Sequence, residues 1–100
     1  MTWVEPDTDM KIATITYEMG RLAHKLYWLD IRIKTRVELI DQMQQVPCLE
    51  NLEARHKLAG KINRLQDRRR ALVQKLEELD AGRRELRQAL AAQNNWRHGP

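Results

Sequence analysis

The chain has no phenylalanine, one cysteine, three prolines and four glycines in 100 residues. Each scarcity excludes something. A single Cys48 rules out an internal disulfide and fits a reducing compartment. With so little glycine and proline there is no turn chemistry for many short strands, so a sandwich or barrel is excluded. No apolar run approaches the roughly 20 residues that span a bilayer, which predicts a cytoplasmic protein without membrane association. Gly-rich phosphate loops, nucleophile elbows and helical HExxH motifs are absent. His24, His56 and His98 lack a second ligand at helical spacing, so neither a metal nor another cofactor is expected.

What the chain does have is a repeat. Leucine recurs every seventh residue at Leu58, Leu65, Leu72, Leu79 and Leu86. The intervening seam positions are Ile62, Leu76 and Leu90, alternating with Arg55, Arg69 and Arg83. In the first half, Ile12, Ile15, Met19, Leu22, Leu26, Leu29 and Ile33 keep a 3-4 spacing; Arg36 interrupts it, and Ile40 and Met43 resume it. Such a repeat is the seam of a coiled coil. The fold class is therefore all-α, a long antiparallel helical hairpin in a single domain over 1–100. Its expected parts are an arm at 1–8, a helix at 9–46, a turn at 47–50, a helix at 51–95 and a tail at 96–100. Asp7 or Thr8 caps the first helix, and Val46-Pro47 ends it because proline disfavours helical geometry in the residue before it. With the turn near residue 48, facing positions should sum to about 96, setting Ile33 against Ile62, Leu26 against Arg69 or Leu72, and Met19 against Leu76 or Leu79, and bringing Trp3 within reach of Trp96. The second helix could break at Gly60 or Gly82, each glycine costing about 1 kcal/mol relative to alanine.

A second apolar row on the first helix, Tyr17, His24, Trp28 and Ile31, lies away from that seam, with Tyr27 and Leu39 widening it. A helix that is apolar on two faces belongs inside an assembly, so the row predicts a homodimer in a four-helix arrangement. The seam arginines Arg36, Arg55, Arg69 and Arg83 need acceptors. The expected solution is that they snorkel toward acids across the seam and so set register. A long amphipathic first helix with arginines between helices resembles small all-helical mutases of the chorismate mutase type. That resemblance covers the first helix alone, without a third helix or a catalytic set, and implies an anion pocket near Arg36 or Arg69.

Charge supplies the functional reading. There are 18 Lys and Arg against 14 Asp and Glu, a net charge of +4. Between Arg55 and Lys75 stand eight Lys or Arg residues and one acid, Asp67. From this band Lys57, Lys61, Arg64, Arg68, Arg70 and Lys75 form the expected partner-binding surface. It predicts a non-enzymatic adaptor or inhibitor that binds a larger protein with an acidic surface, with no small-molecule substrate. Sequence-nonspecific nucleic-acid binding through the same band is the alternative. Against it, the aromatic residues do not interleave with the basic ones.

Overall fold

The computed structural model describes residues 7–46 and 48–98, the last four by their backbone. It is an all-α helical hairpin of two helices, α1 (Thr8–Gln44) and α2 (Leu49–His98). Among the described residues no helix is long and apolar enough to cross a membrane.

The helix ends have visible causes. The carbonyl of Asp7 accepts the Lys11 amide at 3.0 Å, which makes Asp7 the cap and Thr8 the first helical residue. Helix α1 stops at Gln44, two residues before the expected end. There the amides of Gln45 and Val46 bond the carbonyls three residues back, Gln42 and Met43, at 3.2 Å each, tightening the last turn. Helix α2 begins at Leu49 because Cys48 acts as its cap. The Cys48 carbonyl accepts the Leu52 amide at 3.1 Å and its Sγ accepts the Asn51 amide at 3.4 Å. The Asn51 side chain donates to the Val46 carbonyl at 2.7 Å and ties the two helix ends together. The link, 45–48, thus keeps the four residues expected at 47–50 but lies two positions earlier. The tail expected at 96–100 is helical as far as His98. No described residue takes a positive φ, so Asn94 and Asn95 do not end the helix in a left-handed cap. Helix α2 also runs unbroken through Gly60 and Gly82. The expected pairing of Trp3 with Trp96 lies outside the described residues.

The chain divides into two compact units, Met1–Ala23 with Gln74–Pro100, and His24–Val73. In each, an α1 segment pairs antiparallel with an α2 segment. The second unit buries Leu29, Ile62 and Leu65, and the first buries Leu22 and Thr8. The remaining α1 seam positions are half-buried without exception, including Arg36. Register differs from the expectation. In the second unit Arg69 reaches Asp30, and in the first Arg83 reaches Thr16; a sum of 96 sets Gln66 and Asp80 there instead. These contacts fit a register that sets Ile33 opposite Leu65 in place of Ile62, and Leu26 opposite Leu72 and, in the first unit, Met19 opposite Leu79, two pairings that the sequence had offered. Its cause is seam matching. Ile33 opposite Ile62 would have set Leu29 against the polar Gln66, whereas this register gives every α1 seam position a seam position on α2.

Candidate functional site

A two-helix seam leaves two flanks, the e and g positions of the heptad beside the apolar a and d positions. With a at Ile12 and Arg55, reversing one helix sets e beside e and g beside g. The two flanks of the second unit have opposite electrostatic character.

On the e flank, charge is neutralised. Arg69 Nε donates to Asp30 Oδ1 at 2.7 Å across the seam, within a shallow groove also lined by Ile33, Gln66 and Arg70. Arg70 donates to Asp67 Oδ1 at 2.8 Å and to the Gln66 carbonyl at 3.5 Å. Nearer the turn, Ile40, Gln44, Leu52, Arg55, His56 and Ala59 line a second groove. Arg55 Nε is shielded from solvent there without a hydrogen-bond partner. Within the first unit the same flank carries Asp80, which accepts from Arg83 at 3.0 Å and from Arg84 at 2.6 Å. Those two hydrogen bonds, Arg84's the stronger, hold the Asp80 carboxyl below its ordinary range.

Of the four seam arginines, only Arg69 meets an acid across the seam. Arg83 takes Asp80 on its own helix, adds the Thr16 hydroxyl at 3.3 Å, and leaves its Nε unpartnered. Arg36 donates to the Arg32 carbonyl one turn back at 3.2 Å. The expectation of cross-seam acids thus holds at one position of four, because Asp30 is the one acid at an α1 e position that a seam arginine reaches.

On the g flank nothing neutralises the charge. Lys25 and Arg32 hold the α1 g positions, and Lys61 and Arg68 hold those of α2. Lys57 and Arg64 occupy the adjoining c positions, about 40° further round at 3.6 residues per turn. In this register Arg68 is the α2 g position nearest Arg32. All six are exposed, and none has an ion pair among the described residues. Lys75 continues the α2 line in the other unit and is likewise exposed. Arg70 departs from the expected set. Two residues beyond Arg68 is about 200° round the helix, which puts it on the e side with Asp67.

The aromatic row also divides. Tyr17, His24 and Ile31 share one line of α1, at f. Trp28 stands on the c line bordering the g flank, three residues after Lys25 and four before Arg32. Its Nε1–H donates to His24 Nε2 at 3.0 Å, and the Tyr27 ring meets it edge-on with centroids 5.7 Å apart. Trp28 keeps 51% of its surface exposed. Aromatic and basic side chains therefore do interleave on α1, contrary to the expectation, and the Lys25-Trp28-Arg32 spacing is the signal that carries it. A further line escaped the sequence reading. Met10, Ala13, Tyr17, Gly20, His24, Tyr27 and Ile31 follow a second 3-4 spacing on α1, all exposed. Ala13 and Gly20 do not register as apolar, yet nothing lies within 4 Å of a Cβ built on Gly20.

No known protein family, curated protein or solved structure matches this chain.

Proposed function

We propose that this protein is a non-enzymatic interaction module, an adaptor or inhibitor, that binds a larger, negatively charged partner through the g flank of its second unit. The observation that carries the reading is the contrast between flanks. None of six cations on one edge has an ion pair among the described residues, whereas Arg69 and Arg70 on the other edge pair with Asp30 and Asp67. Facing g positions in a coiled coil ordinarily carry complementary charge. Here the g positions Lys25, Arg32, Lys61 and Arg68 all carry the same charge, and a bound anion relieves their mutual repulsion. In this reading two copies pair along the line from Met10 to Ile31, where Ala13 and Gly20 allow close approach, and Trp28 borders that line. The mutase-type alternative draws no support from its own residues, since Arg69 is neutralised by Asp30 and Arg36 is spent on a backbone carbonyl.

The test uses inorganic polyphosphate and poly-L-glutamate as probes at low salt. Arg64→Glu with Arg68→Glu should leave helicity unchanged and abolish retention of both polyanions. Arg70→Glu, on the other flank, should leave retention intact. Equal loss from Arg70→Glu, or retention surviving the double reversal, would show the g flank to be merely a solvated face.

A further inference from the structure

We infer that the partner of the cationic flank is single-stranded nucleic acid, and that Trp28 stacks on one of its bases. This rests on the preceding reading and names the chemical class of the ligand. Six cations in two lines, Lys25 and Arg32 on α1 facing Lys57, Lys61, Arg64 and Arg68 on α2, make a track for a phosphate backbone. A track of this kind supplies affinity without sequence preference. By themselves these cations would take any polyanion. Trp28 separates the classes.

Trp28 stands between two of the cations, and half of its surface is open. Its one polar group is already satisfied by His24, so the indole has no hydrogen-bonding task left for a ligand and offers a π-face. The Tyr27 and His24 rings both stand steeply to it, at 75° and 82°, and limit its movement. An aromatic platform set among cations is what single-strand binders combine, because every base has a face to stack and every nucleotide a phosphate to neutralise. A duplex keeps its base faces inside the stack and cannot use the indole. An acidic peptide has charges for the six cations but no planar ring required at Trp28.

The experiment measures fluorescence polarisation of a labelled thymidine oligonucleotide with the full-length protein, alongside polyphosphate, poly-L-glutamate and a DNA duplex. The oligonucleotide should bind with log affinity falling against log salt at a slope of about −4, from roughly 0.7 per neutralised phosphate on a single strand. Trp28→Ala should weaken oligonucleotide binding by about 5- to 150-fold, the usual range for one stacked base, and Trp28→Phe should restore most of it. Neither change should alter polyphosphate binding. Arg32→Glu and Arg68→Glu should weaken both ligands and flatten the salt slope. If Trp28→Ala leaves the oligonucleotide unaffected, or weakens polyphosphate equally, the stacking assignment is wrong while the cationic flank stands. Tighter binding of poly-L-glutamate or of the duplex would transfer the flank to an acidic protein or to double-stranded DNA and overturn the inference. Binding of none of the four would sink the underlying reading as well.

Discussion

At the scale of the residue, arginine in an apolar seam meets a different fate at each of four positions. Arg69 reaches Asp30 at 2.7 Å, but both side chains are nearly half exposed. Such a pair contributes about 0.2–1 kcal/mol. It sets register more than it stabilises. Arg55 is the opposite case: its Nε is shielded and unpartnered. Leaving a donor in that state costs about 1–3 kcal/mol. Arg55→Leu should therefore stabilise the protein by about 1 kcal/mol, raising the thermal midpoint by about 4–8 °C in a domain of this size. Circular dichroism melting checks it, and a lowered midpoint would mean that Arg55 has an acceptor in solution. The heptad made these arginines conspicuous from spacing alone. Which of them found a partner was not legible, because Asp30 meets Arg69 only in one register of two helices far apart in sequence.

At the scale of the element, long helices here tolerate residues that ordinarily weaken them. Thr14, Thr16 and Thr35 each turn the hydroxyl back onto the carbonyl four residues earlier at 2.9 Å, so their polar groups are satisfied within α1. Gly60 and Gly82 lie inside α2 with helical backbone and no atom within 4 Å of a built Cβ. Nothing in either unit requires glycine there. Gly60→Ala and Gly82→Ala should each stabilise by about 0.5–1 kcal/mol, chiefly by removing freedom from the unfolded chain. Denaturant titration reads this as a higher midpoint at unchanged slope. Destabilisation by either would point to a required close approach at that glycine. The existence of both helices followed from periodicity. Their ends did not, since Cys48 serving as a cap and the Asn51–Val46 hydrogen bond depend on how the chain closes the turn.

At the scale of the whole molecule, burial is sparse. Leu22, Leu29, Ile62 and Leu65 are the buried apolar side chains among the described residues, and a paired seam leaves its other residues partly wet. Association would supply what the hairpin lacks. The line from Met10 to Ile31 should carry it, so light scattering should give twice the 11.9 kDa of one chain. Tyr17→Glu with Ile31→Glu should return the monomer mass, and the same variant should keep its oligonucleotide affinity per chain if Trp28 stands apart from the pairing. A wild-type monomer would remove self-association and leave the cationic flank untouched. Local spacing was enough to establish that this chain forms two helices, which residues line their shared seam, and where positive charge gathers. These are properties of neighbours a few residues apart, governed by the 3.6-residue turn. Folding alone settled the register and which of the seam arginines meets an acid. Those depend on how many residues the turn consumes and on which seam positions of the two helices must align, and no local pattern encodes either.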